Sequence, residues 1–95
     1  MTKTAVILAT YNGAEFIESQ LASIKSQTRP TDYVIVRDDR STDETADIVN
    51  AYIVKNNLVN WQIVVNEKNQ GWRLNFRQLM IDALATDADY LLFRS

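Results

Sequence analysis

Hydrophobic positions along this chain follow two alternating rhythms: short continuous apolar runs, and longer stretches where apolar residues recur every three or four positions. The first run, Thr4–Thr10 (TAVILAT), is almost unbroken, as expected of a strand covered on both faces. From Glu15 to Thr28, Ile17, Leu21 and Ile24 fall at i, i+4 and i+7, which predicts a helix. Asn12 is placed to cap it, with Glu15 three residues on, and Arg29-Pro30 ends it because a residue before proline avoids helical backbone. Tyr33–Arg37 (YVIVR) predicts the second strand. A second helix opens at "STDE", where Ser41 and Glu44 have capping-box spacing. It carries Ile48, Val49, Tyr52 and Ile53 as one stripe and stops at Asn56-Asn57. Trp61–Val65 (WQIVV) is the third strand and Asn66–Gly71 a polar loop. Leu74–Ala85 is a third helix built on Leu79, Met80, Ala83 and Leu84, and Tyr90–Phe93 (YLLF) is the fourth strand.

Strands alternating with helices imply βαβ units and a mostly parallel sheet. With right-handed crossovers, the expected fold is a Rossmann-like three-layer α/β/α sandwich. In such sheets ligands bind beyond the carboxyl ends of the strands, where strand order reverses. Four segments reach that edge: Thr10-Tyr11-Asn12, Asp38-Asp39-Arg40, Asn66–Gly71 and Arg94-Ser95.

Composition narrows the chemistry. At 95 residues, 46% hydrophobic and 23% charged, the chain is ordinary globular material with room for one domain. Ten basic residues against twelve acidic ones, net −2, give no electrostatic case for nucleic acid. There is no cysteine and no histidine, which excludes disulfides, zinc-thiolate sites and His-dependent nucleophilic catalysis within these residues. No apolar stretch approaches the roughly 20 residues of a transmembrane helix. Nor does the N-terminus carry a signal-peptide core, so the expected location is cytoplasmic.

The adjacent carboxylates of Asp38 and Asp39 are the sharpest signal. An ionised carboxylate only accepts hydrogen bonds, so one of the pair suits a ligand N–H or O–H. The other would hold backbone N–H groups of the loop, or Arg40. Both could equally be turn and capping residues, but Ser41 already has that role in the predicted cap. Tyr11 could stack on a flat base and Thr10 could hydrogen-bond a base or sugar, whereas Asn12 reads best as a helix cap. With only Gly13 and Gly71, the dinucleotide fingerprint and the P-loop are both absent. In "NEKNQGWRLNF", Arg73 and Asn75 could meet a phosphate or nucleoside; the plainer reading is a flexible loop with Gly71 at a left-handed turn and Trp72 as a lid.

Together, "ILATYNGAEFIESQLASIKSQT", "VIVRDDRSTDET", "NEKNQGWRLNF" and "ADYLLF" resemble the N-terminal half of a family 2 glycosyltransferase, closest to its rhamnosyltransferase-like, polysaccharide-assembling members. The resemblance spans almost the whole chain and implies the nucleotide-binding half of a GT-A fold. Carried over, Thr10 and Tyr11 match the segment lining base and ribose. Asp39 matches the aspartate contacting a uracil or thymine ring, and Asp38 the more structural or ribose-side one. Asn69, Gly71 and Asn75 match an Asn-x-Gly-x-x-x-Asn loop, with Arg73 inside it near the diphosphate path. Arg40 stands where the family carries glycine or asparagine, so it either crowds a left-handed turn or reaches towards phosphates.

The resemblance further implies an inverting transfer from a UDP- or dTDP-sugar to a glycan or lipid-linked acceptor, with Mg²⁺ or Mn²⁺ in the full-length parent. The family's Asp-x-Asp-type metal motif should follow "LLF", and the chain stops at Ser95. Residues 1–95 are therefore expected to be a nucleotide-sugar-binding fragment, with neither catalytic nor metal residues and little activity alone. Its open sheet edge could pair with a second copy, and the parent could sit at the inner face of the membrane. A non-catalytic nucleotide-binding or receiver-like regulatory module is the alternative. It is disfavoured because a receiver places its acidic pair after the first strand, where this chain has Thr10-Tyr11-Asn12.

Overall fold

The computed structural model describes residues 3–94. Its elements are β1 (Thr4–Thr10), α1 (Ile17–Gln27), β2 (Tyr33–Asp38), α2 (Thr45–Lys55), β3 (Trp61–Val65), α3 (Trp72–Leu84) and β4 (Tyr90–Arg94). The strands form one parallel sheet in the order β3-β2-β1-β4. The chain thus steps outward from β1 to β2 to β3, then returns to the far side of β1. Thr10 lies opposite Asp38, and Asp38 opposite Val65, so three strands end together and deliver their exit loops to one edge.

Strand alternation sorts the core into two layers. Val6, Leu8, Val34 and Val36 face Ile17, Leu21 and Ile24 of α1 and Val49 of α2. Ile7 and Ile35 face the other way, against Leu79 and Ala83 of α3. Reversal of the strand order explains the split: a crossover running back across the sheet stays right-handed only on the opposite face. Beside the core, Arg37 of β2 and Asp82 of α3 form a mostly buried ion pair, Nε to Oδ2 at 2.9 Å.

The expected caps do not form. α1 begins at Ile17 without a side-chain cap, its first turn held by Gly13 O accepting the N–H groups of Phe16 and Ile17. Asn12 instead adopts left-handed backbone (φ +50), and its Oδ1 accepts the Thr42 N–H at 2.8 Å. Ser41 is likewise drawn away from α2: its N–H and hydroxyl both donate to Asp38, and its Oγ accepts the Asn12 N–H. In both cases a partner in the neighbouring loop has won over the local cap. Asp43 supplies the acceptor at the start of α2, taking the N–H and hydroxyl of Thr45 on one oxygen and the Ala14 N–H on the other.

Chiefly through the Thr45 hydroxyl bond, the Asp43 carboxyl is held below its ordinary value of 3.8. A depressed folded pKa stabilises fully above the unfolded value and is lost as pH falls through the folded one. Acidification below about pH 4 should therefore loosen this joint, with the amide resonances of Ala14 and Thr45 titrating together while those of β1 hold still. An Ala14 resonance that ignores the Asp43 titration would refute the link.

At the sheet's outer edge, Phe93 of β4 meets Phe76 of α3 edge-on at 4.4 Å, while Tyr90 and Leu92 stay largely exposed. The Arg94 guanidinium donates to Gln27 and Ser23, tying β4 to α1. Among the described residues no helix is long and apolar enough to cross a membrane.

Candidate nucleotide-binding edge

The end of β2 separates Asp38 and Asp39 onto opposite faces, and each organises a different layer. Asp38, fully buried, takes the Ser41 N–H at 2.8 Å on Oδ2, and the hydroxyls of Ser41 (2.7 Å) and Thr10 (2.6 Å) on Oδ1. It knits the exits of β1 and β2 on the α1/α2 side. Asp39, only 2% exposed, gathers the β3–α3 loop: Oδ1 accepts from Asn66 Nδ2 and Gln70 N, and Oδ2 from Gly71 N, all within 2.9 Å. Asn69 closes the same turn by donating to the Asp39 carbonyl at 3.0 Å.

Beneath this clasp lies a buried amide pair. Asn66 donates to both Asp39 and Asn75, while Asn75 donates to the Arg37 carbonyl at 3.0 Å. Arg37 in turn donates to Asn66 Oδ1 as well as to Asp82. Every polar atom of the two amides has a partner or sits beside one, as buried polar groups require. Sequence reasoning put Asn75 against the ligand; it is 2% exposed, with both ends of its amide spent inside the protein, so what reaches the edge is only its margin. Arg37 and Asn66 were not singled out at all. The signal existed, since an arginine within "YVIVR" faces a core and must find a carboxylate, but the partner, Asp82, is remote in sequence.

Above the clasp opens a cleft of about 330 Å³ lined by Ala9, Thr10, Tyr11, Asp39, Asn69, Gly71, Trp72 and Asn75. Six of the nine residues expected at the site line it: Thr10, Tyr11, Asp39, Asn69, Gly71 and Asn75. Asn12 supports it from the β1–α1 loop and Asp38 from the last position of β2, and Arg73 lies exposed in the first turn of α3. Gly71 has φ +88, the left-handed turn expected there. Arg40 is also left-handed, φ +61, and exposed: the tight turn is real, and a side chain sits where glycine would be unstrained. A roomier cleft of about 410 Å³ lies at the opposite, amino-terminal end of β2 and β3, lined by Tyr33, Trp61 and Asp87 among others, and contains none of these residues.

The carboxylates present do not suit a divalent cation. Such an ion prefers several oxygen ligands free of other donors, whereas Asp38 and Asp39 already receive three hydrogen bonds each. Among the described residues no three acidic side chains converge on one point. Any metal bound near this edge would need ligands other than these two aspartates.

A parallel sheet whose order reverses beside an open, aromatic-walled cleft at its carboxyl edge has the architecture of the nucleotide-binding α/β proteins. The family model for glycosyl transferase family 2 matches residues 5–93, and the chain belongs to that family. Poly(ribitol-phosphate) beta-N-acetylglucosaminyltransferase TarS of Staphylococcus aureus (strain Mu50 / ATCC 700699) is 41% identical over 73 residues, 75% of this chain and 13% of that protein. The crystal structure of S. aureus TarS 1-349 in complex with UDP superposes with a TM-score of 0.81 at 29% identity, covering 98% of this chain and 27% of that one. A mannosyltransferase from Pyrobaculum calidifontis in complex with GDP-Man and Mn²⁺ superposes with a TM-score of 0.75 at 27% identity, covering 84% and 24%. The chain therefore spans a small part of the relatives it matches, and its four strands and three helices correspond to their GT-A glycosyltransferase fold.

Proposed function

We propose that this chain is the donor-nucleotide-binding part of a glycosyltransferase that moves a sugar from a nucleoside-diphospho-sugar to an acceptor hydroxyl. The observation that carries the reading is the single cleft uniting Tyr11, Asp39 and the Asn69–Gly71 turn at the reversal of strand order. Tyr11, 52% exposed, offers a ring face for a base. Asp39 Oδ2 receives only the Gly71 N–H and keeps acceptor capacity, which suits a base that presents an imide N–H, uracil or thymine. Thr10 and Asn69 flank the ribose side, Gly71 lets backbone approach closely, and Arg73, exposed in the first turn of α3 beside Trp72, is the cation assigned to the diphosphate. Donor complexes of the neighbours, UDP-GlcNAc in TarS and GDP-Man in the mannosyltransferase, support this class of substrate.

In the reaction, an acceptor oxygen bonds to the anomeric carbon as the bond to the diphosphate breaks, with inversion, and the acceptor proton passes to a general base. The residues described here bind and orient the donor; no general base, metal ligand or acceptor contact is assigned among them. A glycan or lipid-linked acceptor in cell-surface polysaccharide assembly, a cytoplasmic or inner-membrane-face location, and pairing of two copies along the free edge of β4 complete the proposal.

The test is calorimetric titration with UDP, dTDP and GDP, with and without Mn²⁺. Pyrimidine diphosphates should bind, and Tyr11→Ala should weaken them about tenfold by removing one stacking face. If none of the three binds, the nucleotide reading fails.

A further inference from the structure

Trp72 is the largest apolar side chain on this edge, and packing does not account for it. It is 75% exposed, against 8% for Trp61, the chain's other tryptophan. α3 turns one stripe towards the sheet, formed by Phe76, Leu79 and Ala83. Trp72 falls on that same stripe, four residues before Phe76 and seven before Leu79. One turn further out, however, the strands have ended, so the inward-facing position has no sheet beneath it. What it meets instead is the cleft, which Trp72 lines together with Tyr11, Asp39 and Gly71. A side chain in a first helical turn also leans back towards the helix N-terminus, here towards the exit loops.

Its backbone is held although its ring is free. The Asp39 carboxylate takes the Gly71 N–H at 2.8 Å, and Gly71, at φ +88, turns the chain directly into Trp72. The clasp thus fixes where the indole starts, while among the described residues neither the Trp72 ring nor the Tyr11 ring contacts another ring. Two exposed aromatic side chains therefore share one cleft whose floor carries a carboxylate.

We propose that Trp72 is the second wall of the base subsite, its indole closing over the face of a planar pyrimidine opposite the Tyr11 ring. The inference rests on the nucleotide reading above and adds to it a residue that determines affinity through the base alone. It also accounts for the helix beginning at Trp72 rather than at Leu74. The two added residues, led in by Gly71 under the hold of Asp39, carry the stripe out over the ligand edge.

The experiment measures binding of UDP and of uridine to the unsubstituted chain, Trp72→Ala and Trp72→Phe, with far-ultraviolet dichroism confirming that each is folded. Loss of one stacking face should weaken UDP about tenfold or more in Trp72→Ala, and uridine by the same factor, because the two share the base. Trp72→Phe, which keeps a ring, should stay within about threefold of the unsubstituted chain. The diphosphate of 5,6-dihydrouridine, whose base is not flat, should bind weakly to the unsubstituted chain and no more weakly to Trp72→Ala. Indole emission should change on adding UDP in the unsubstituted chain but not in Trp72→Phe, where only buried Trp61 remains. If Trp72→Ala binds UDP within twofold of the unsubstituted chain, or loses affinity for UDP but not for uridine, Trp72 is not a base wall, and the nucleotide reading survives without it. If the unsubstituted chain binds neither ligand, both fall together.

Discussion

Asp39→Ala should remove about 2–4 kcal/mol of folding stability and abolish nucleotide binding in the same step. The carboxylate takes three N–H donors, from Asn66, Gln70 and Gly71. Hydrogen bonds to a charged group contribute about 1.5–3 kcal/mol each, and a buried donor left unpaired costs about 1–3 kcal/mol. The full sum does not apply, because the Gln70 and Gly71 amides can turn to water and Asn66 keeps Asn75 as an acceptor. Even the reduced figure is a large share of the roughly 5–15 kcal/mol that holds a domain together. Urea unfolding measures the stability, and amide exchange shows where it is lost: protection should fall at Gln70 and Gly71 while Ser41 and Thr42 keep theirs. A midpoint unchanged in Asp39→Ala would show that the clasp contributes nothing.

Asp38→Asn should cost a comparable amount, again about 2–4 kcal/mol, but on the other layer. Its two oxygens accept from Thr10 and twice from Ser41, with no exposure to water. An amide in its place offers one acceptor and turns an NH₂ towards a donor, either the Ser41 N–H or the paired hydroxyls. Exchange should then accelerate at Ser41, at Thr42 and at Asn12, whose N–H donates to Ser41 Oγ, leaving Gln70 and Gly71 protected. UDP affinity should fall only modestly, since Asp38 does not line the cleft. The paired experiment is decisive because the residues are adjacent in sequence. If both substitutions loosen the same amides, the two carboxylates do not hold separate layers.

Much of this was legible in the chain. Continuous apolar runs and i, i+4, i+7 stripes located all seven elements to within a few residues, because a strand buried on both faces and a helix buried on one leave distinct periodicities. The parallel three-layer fold followed from their alternation, and the shared edge of the first three exit segments from the rule that ligands sit at carboxyl ends; the fourth, Arg94-Ser95, runs outside the described residues. Caps were the weakest inference. Asn12 and Ser41 carry the right side chains at the right spacing, yet both bond across to a loop about thirty positions away. Capping statistics describe a helix end alone; they do not include the neighbouring loop that competes for the same hydroxyl or amide.

The acidic pair shows where the division falls. Its position at the end of a buried strand, and the consequence that one side chain points to each face, are properties of the sequence, since successive strand residues must alternate. Which donors each carboxylate captures is not. That depended on β3 lying beside β2 in register, which brings Asn66 and the Gln70-Gly71 turn over Asp39, and on β1 lying on the other flank, which brings Thr10 and Asn12 to Asp38 and Ser41. The same holds for Trp72, whose place on the inward stripe of α3 is written in the spacing. Whether that stripe has sheet or open cleft beneath it depends on where the strands stop. Local periodicity is encoded within a few residues of itself, and so the sequence determined the elements and their faces. Partnership across the sheet edge arises between segments far apart in the chain, and only the tertiary structure decided it.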